Sequence, residues 1–174
     1  SMVLDLAAAI GALAGSDGHE IICIIGDGSI QMNLQELQTI IHHRMPIKLF
    51  VINNGGYHSI RQTQMNFFGE PLVGIGADSG DLSFPDMEKL AGAYGYPYVR
   101  ISSNAQLCRI QDVLGTKGPV ICEVMVDARQ KFEPKAASRR MEDGTMVSAP
   151  LEDLAPFLPR EVLEQQMYIP LTDG

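Results

Sequence analysis

Short apolar runs alternate with helical periodicities along the first three quarters of the chain. Four runs have the length and residue types of strands: residues 21–25, 47–52, 98–101 and 120–126. Apolar residues three and four positions apart predict helices between them, and the Ala-rich segment 3–14 predicts a buried helix packed closely on a sheet. The β-branched run 21–25 in particular predicts a strand buried on both faces. The alternation therefore predicts an α/β fold, a doubly wound, mostly parallel sheet with helices on both faces.

Three of the predicted helices carry recognisable end signals. Asn33 is the expected N-cap of a helix whose apolar stripe runs over residues 34–41. Asn104 is the expected N-cap of a second helix, with a stripe over residues 107–114. A third helix is expected over residues 85–95, because proline is common at the start of a helix and glycine at its end.

Two stretches interrupt this alternation. Residues 57–82 predict a short helix from Tyr57 to about Phe67, followed by a Gly-rich segment. A loop of this length inside an α/β domain is more often functional than not. The polar tail after Asp127 predicts extended chain ending in a short helix. We therefore expect an α/β domain over residues 1–127 and a C-terminal extension over residues 128–174.

The charge and the cysteines exclude several classes of protein. Thirteen Lys and Arg against 21 Asp and Glu give a formal net charge of −8. Nucleic acids and anionic membranes select basic surfaces, so neither is an expected partner. No apolar stretch reaches the roughly 20 residues that span a bilayer. The three cysteines lie far apart without a C-x-x-C pair, which is typical of a reducing compartment, and a cytoplasmic location is expected.

Polar turns follow the first two long strands of the predicted sheet. Asp27 lies in the turn 26–29 (GDGS) and Asn54 in the turn 53–56 (NNGG). Ligands of open α/β sheets bind at the carboxyl ends of strands, so a carboxylate and an amide oxygen are expected to converge there. Such ligands suit Mg²⁺, which accepts phosphate oxygens. Gly28 would let a diphosphate approach the backbone, and the N–H groups of residues 29–31 would donate to it.

Either turn alone is ordinary, but their spacing is specific. With 24 residues between GDG and NN, the arrangement closely resembles the motif of the thiamine diphosphate-dependent enzymes. The segments GDGSIQMNLQELQTIIHHRMPIKLFVINN, FPDMEKLAGAYG and GPVICEVMVD are similar to the acetolactate synthase branch of that family. The resemblance is strong over residues 1–127 and looser in the tail through LEDLAPFLP. It implies the thiamine diphosphate-binding fold, with thiamine diphosphate and Mg²⁺ as cofactors.

The resemblance also implies roles for individual residues. Mg²⁺ would be held by the side chains of Asp27 and Asn54 and by the backbone carbonyl of Gly56. His58 is the candidate general acid or base, although a histidine on a surface helix is more often a bystander and acetolactate synthases usually carry a small residue there. The residues expected to contact the cofactor, in addition to these ligands, are Met2, Gly26, Gly28, Ser29, Tyr57 and Ile60.

The implied reaction is decarboxylation of pyruvate or a similar 2-keto acid, with transfer of the two-carbon unit to a second keto acid. A simple 2-keto acid decarboxylase of the same family is one alternative, and a non-catalytic module that holds thiamine diphosphate or a nucleotide is another. In this family a glutamate from a separate pyrimidine-binding domain, of the same or a partner chain, activates the cofactor across a subunit interface. We therefore expect a homo-oligomer, with this chain as a truncated piece of the enzyme rather than a natural split subunit, inactive alone.

Overall fold

A computed structural model describes residues 3–141 and 143–169, and the chain divides into two compact units, residues 1–129 and 130–174. The first unit alternates helices and strands as the apolar pattern predicts. Its elements are α1 (Asp5–Ala14), β1 (Ile21–Gly26), α2 (Asp27–Ile30), α3 (Glu36–His42), β2 (Ile47–Asn53), α4 (His58–Phe67), α5 (Met87–Tyr94), β3 (Tyr98–Ile101), α6 (Arg109–Gly115) and β4 (Val120–Met125). Short 3-10 turns lie at Gln31–Asn33, Ala77–Ser79 and Asn104–Gln106.

The four strands form one parallel sheet in the order β1-β2-β4-β3. Alternate residues along the strands point to two apolar clusters on opposite faces. The larger cluster contains residues of α1, α3 and α5, and the smaller one contains Val113 of α6. The predicted α/β fold is confirmed, and all four strands end at the same edge of the sheet.

The first strand differs from its prediction. Cys23 and Ile25 are buried, but Ile22 and Ile24 are 56% and 69% exposed. Because β1 is an edge strand of the described sheet, and the smaller cluster contains no residue of β1, one face of this strand is uncovered in the part of the chain that the structure describes. The expectation that residues 21–25 are buried on both faces is therefore wrong for this structure.

Three helices also differ from their predictions in extent or burial. Helical turns begin directly after β1, so Asn33 lies inside a 3-10 turn and donates its amide to the carbonyl of Val3 instead of capping α3. Asn104 likewise lies in a 3-10 turn, and α6 begins five residues later. Segment 3–14 forms α1 as predicted, but only Leu6 and Ala9 are buried. The two Asn caps are therefore wrong, and the predicted buried helix packs on the sheet through one face only.

Helix α5 matches its end signals closely. The Asp86 carboxylate accepts a hydrogen bond from the backbone N–H of Lys89 at 2.9 Å, and Gly95 ends the helix in the left-handed conformation, with φ of 78°. The Asp86 cap therefore fixes the residue at which α5 begins.

The second unit is smaller. It contains an antiparallel pair, β5 (Ser138–Arg140) and β6 (Met146–Ser148), and the short helix α7 (Arg160–Gln166). The helix was expected, whereas the two three-residue strands were not. The buried carboxylate of Asp153 accepts two hydrogen bonds of 2.7 Å from the Arg160 guanidinium, which fixes the start of α7. None of the helices within the described residues is long and apolar enough to cross a membrane.

Candidate functional site

The turns that contain Asp27 and Asn54 lie side by side. Strands β1 and β2 are parallel neighbours, with Gly26 opposite Ile52, so each strand ends within a residue or two of the other. The two turns therefore meet at this edge of the sheet, and the convergence of the Asp27 carboxylate with the Asn54 amide oxygen stays a prediction.

Asp27 is a buried carboxylate at the first position of α2, with 4% of its surface exposed. Burial raises the pKa of its carboxyl group, and this effect exceeds the lowering by the backbone N–H groups of Gly28, Gly56 and Gly55 and by the charge of Arg61. Gly28 donates to Oδ1 at 2.8 Å. The negative charge of Asp27 is thus incompletely compensated by the protein, as expected of a residue that binds a cation.

The Asn54 turn is held from two sides. The Arg61 guanidinium donates to the backbone carbonyls of Asn54 and Gly55, each at 3.3 Å. On the other side, the turn pairs with the following loop through an isolated bridge between Gly56 and Gly76. Among the described residues, none hydrogen-bonds the Asn54 carboxamide, which leaves its oxygen available to a ligand.

Gly56 is required at its position by two independent constraints. Its φ of 138° lies in a region that residues with side chains rarely adopt, and a Cβ atom there would lie 1.9 Å from the carbonyl oxygen of Ile75. The neighbouring Tyr57 N–H donates to that same carbonyl at 2.7 Å. The close approach of the two loops therefore fixes the backbone that presents the Gly56 carbonyl.

Gly28 is also sterically required, but the neighbour that requires it is Tyr57. A Cβ atom on Gly28 would lie 2.5 Å from Cε1 of the Tyr57 ring, which also packs edge-on against Phe84 with centroids 5.5 Å apart. The space beside the Gly28 Cα atom, which we expected to admit a diphosphate, is filled by this ring. The N–H group of Gly28 is also engaged, since it donates to the Asp27 carboxylate, so a contact between Gly28 and a diphosphate stays a prediction that requires this hydrogen bond to exchange.

Ser29, another expected diphosphate contact, is engaged within the protein. Its hydroxyl donates to the Asp5 carboxylate and accepts a hydrogen bond from the backbone N–H of Val3 at 3.2 Å. The Ser29 hydroxyl would have to give up its hydrogen bond to Asp5 in order to donate to a ligand. The backbone N–H of Ser29 takes no part in these two hydrogen bonds.

The remaining predicted residues lie in different surroundings. His58 begins α4 and is only 6% exposed, so it does not lie on the exposed surface of this helix, and its role as a general acid or base stays a prediction. Ile60, on the same helix, is 42% exposed. Gly26 is the last residue of β1. Met2 lies outside the described residues.

A cavity of about 380 Å³ opens beside Asp27 at the carboxyl edge of the sheet. Gln31, Asn53 and Gly55 line it next to the two turns, and Arg100 and Glu123 line its far wall. Arg100 was not predicted from the sequence. Glu123 stands out in the sequence as a lone acid within the apolar run 120–126, expected to face a strand edge or a polar pocket, but its partners could not be identified without the strand order.

Glu123 is the centre of a buried polar network. Its carboxylate accepts hydrogen bonds from Asn53 Nδ2 at 2.7 Å, from Arg100 Nε at 2.7 Å and from the Tyr98 hydroxyl. Burial by itself raises the pKa of this carboxyl group, but the donors outweigh that effect and hold the pKa below its ordinary value. The group is therefore ionised at neutral pH.

The donor set at the two turns fits a hard cation. Within residues 3–141 and 143–169, no group of three or more His, Cys, Asp and Glu side chains is arranged to hold a metal. A metal at this edge would use a mixed set, for which Asp27, the Asn54 carboxamide and the Gly56 carbonyl would provide oxygen ligands of low total charge. That chemistry suits Mg²⁺, which keeps several waters or phosphate oxygens in its coordination sphere.

Comparisons with known proteins find relatives among the acetolactate synthases. The chain is 36% identical over 138 residues to the acetolactate synthase large subunit of Cyanidium caldarium, and these residues are 79% of this chain and 23% of that protein. It is 35% identical over 138 residues to the large subunit of Pyropia yezoensis, with the same two shares. Identity to chloroplastic acetolactate synthase 2 of Nicotiana tabacum is 33% over 143 residues, 79% of this chain and 21% of that protein. The chain thus spans less than a quarter of the length of these relatives.

A protein family described as "Thiamine pyrophosphate enzyme, C-terminal TPP binding domain" matches residues 1–124. Thiamine pyrophosphate is thiamine diphosphate under its other name. Because the match contains the whole parallel sheet except its last residue, together with both polar turns, the chain belongs to the C-terminal TPP-binding domain family of the thiamine pyrophosphate enzymes.

Proposed function

We propose that this chain is the diphosphate-binding domain of a Mg²⁺- and thiamine diphosphate-dependent enzyme acting on 2-keto acids, of the acetolactate synthase type. One observation carries the proposal: a buried, incompletely compensated carboxylate, Asp27, faces the turn of Asn54 and Gly56 at the ends of two adjacent parallel strands. The family membership and the acetolactate synthase relatives support the identity of the cofactor and the type of reaction.

In this proposal the residues of the chain bind and neutralise the diphosphate. The Asp27 carboxylate, the Asn54 carboxamide oxygen and the Gly56 carbonyl hold Mg²⁺, and the backbone N–H group of Ser29 donates to a phosphate oxygen. The Gly28 N–H joins it only by exchanging its hydrogen bond to the Asp27 carboxylate. When bound, thiamine diphosphate supplies the electron sink for decarboxylation of a 2-keto acid. The residues named here act on the diphosphate, so their loss should reduce cofactor affinity before it alters chemistry.

The proposal extends to the rest of the enzyme. The activating glutamate would come from a pyrimidine-binding domain of the same or a partner chain, in a homo-oligomer that places the two domains together. The reaction would transfer the two-carbon unit of pyruvate or a similar 2-keto acid to a second keto acid. Analysis of products separates this from simple decarboxylation, since transfer gives an acyloin-type product and decarboxylation gives a free aldehyde.

Titration calorimetry of the full-length protein with thiamine diphosphate tests the proposal. We expect binding that requires Mg²⁺, is reversed by a chelator, and is lost in Asp27→Ala. Asp112→Ala is a matched control, because this carboxylate is exposed on α6, away from both turns. Absence of Mg²⁺-dependent binding in the wild-type protein, or equal binding by Asp27→Ala, would contradict the proposal.

A further inference from the structure

We propose that Glu123 is a positioning residue that holds the metal-binding turn in its ligand-accepting shape, acting through Asn53. The inference rests on the proposed function, because the turn that Glu123 would orient is the one proposed to bind Mg²⁺. Glu123 is only 1% exposed and touches neither Asn54 nor Gly56 directly in the hydrogen-bond network described above.

The strand register brings Glu123 to Asn53. Glu123 of β4 lies opposite Val51 of β2, and Asn53 follows two residues later on the same face of the sheet. The two side chains are therefore diagonal neighbours across the strand pair, close enough for the 2.7 Å hydrogen bond between Asn53 Nδ2 and Glu123 Oε1. The contact joins residues 70 positions apart in the sequence.

The chemistry of the two groups fixes the orientation of the Asn53 carboxamide. A carboxylate only accepts hydrogen bonds, so the amide nitrogen of Asn53 must face Glu123 and its oxygen must face the turn. That oxygen accepts the backbone N–H of Gly55 at 3.1 Å. Gly55 lies between the two proposed turn ligands, Asn54 and Gly56. The orientation of the Asn53 side chain therefore fixes the backbone of Gly55, which connects the two proposed ligands.

The carboxylate is itself held as an acceptor by its other neighbours. Arg100 Nε and the Tyr98 hydroxyl both donate to Oε2, which leaves Oε1 directed at Asn53. A neutral amide in place of Glu123 would have to turn its NH₂ group toward these donors or toward Asn53. In either case one hydrogen bond of the network becomes a contact between two donors.

The test is Mg²⁺-dependent thiamine diphosphate binding by Glu123→Gln, measured by calorimetry in the full-length protein. Residues that orient a metal ligand typically change metal affinity by about 10- to 100-fold when mutated. We expect at least a tenfold loss of apparent Mg²⁺ affinity that a raised Mg²⁺ concentration overcomes. Tyr98→Phe is the matched control, since it removes one donor to the same carboxylate but leaves the Asn53 contact, and we expect affinity within twofold of wild type.

Asn53→Ala provides an independent test if Glu123→Gln does not fold. Asn53→Ala should lose Mg²⁺ affinity to a similar extent. The double variant Glu123→Gln/Asn53→Ala should bind Mg²⁺ no more weakly than Asn53→Ala alone, because both substitutions remove the same Glu123–Asn53 interaction. Wild-type affinity in Glu123→Gln or Asn53→Ala, or an equal loss in Tyr98→Phe, would overturn the inference while leaving the proposed function intact. Failure of the wild-type protein to bind Mg²⁺ and thiamine diphosphate would overturn both.

Discussion

Replacement of Arg61 by methionine should loosen the Asn54 turn and destabilise the first unit. The guanidinium is buried, with 7% of the residue exposed, and donates to three backbone carbonyls: Asn54 and Gly55 at 3.3 Å and Ala128 at 3.4 Å. Methionine retains much of the apolar stem but supplies no donor. The three carbonyls, which belong to two different segments, would lose this shared partner.

The magnitude follows from these contacts. Hydrogen bonds from a charged donor contribute about 1.5–3 kcal/mol each, but the three distances are longer than the usual 2.9–3.0 Å, so about 1 kcal/mol each is appropriate. The ion pair with Asp78 at 3.1 Å adds little, since Asp78 is 58% exposed and such pairs contribute about 0–1 kcal/mol. We therefore expect Arg61→Met to lower the free energy of unfolding by about 3 kcal/mol.

The assay is urea unfolding of the metal-free protein, with Asp78→Asn as the control. Asp78→Asn removes the ion pair but leaves the three carbonyl contacts, and should cost less than about 1 kcal/mol. A cost below about 1 kcal/mol for Arg61→Met, or equal costs for both variants, would refute the assignment of Arg61 as the residue that holds the turn.

Two further predictions concern the same edge of the sheet. Gly56→Ala should abolish Mg²⁺-dependent cofactor binding in calorimetry, because its Cβ atom would lie 1.9 Å from the Ile75 carbonyl oxygen. Gly80→Ala is the control and should retain binding, since Gly80 also has a positive φ but has open space around its Cα atom. Cofactor binding by Gly56→Ala would contradict the close packing of the two loops. Hydrogen bonds from Tyr98, Asn53 and Arg100 hold the pKa of Glu123 below its usual value of about 4.3. The stabilising contribution of this carboxylate is therefore complete above that pH and is lost as the pH falls through the lower folded-state pKa. The stability difference between wild type and Glu123→Gln in urea should therefore shrink on acidification, and a pH-independent difference would show that the carboxylate charge is not involved.

The parts of the fold that local sequence determines were predictable. The apolar runs gave four strands and their ends, and Gly95 ends α5 as predicted, although Asp86 caps the helix and it begins two residues after Pro85. The caps at Asn33 and Asn104 were wrong because each residue lies inside a 3-10 turn that precedes its helix. A capping side chain predicts that a helix begins nearby, but the preceding turn geometry decides whether that residue is the cap.

Properties that depend on strand order could not be read from the sequence. The exposure of Ile22 and Ile24 follows from the edge position of β1, and an apolar run does not distinguish an edge strand from a central one. The Asn53–Glu123 contact depends on the register of β2 with β4. By contrast, the convergence of Asp27 with Asn54 needed only that their strands be parallel neighbours, which the helix between them favours.

The protein holds the proposed metal-binding turn with buried charges of opposite sign. Glu123 orients Asn53 from the sheet, and Arg61 binds the carbonyls of Asn54 and Gly55 from α4. These contacts are all made within the chain, so they restrict the turn by themselves and reduce the conformational entropy that binding of Mg²⁺ and the diphosphate would cost. Asp27 is the exception, since its carboxyl group is buried with less compensation than its charge requires. A site with an ordered turn and one under-compensated carboxylate favours a cation, and this electrostatic requirement is what makes the diphosphate affinity depend on Mg²⁺ in our proposal.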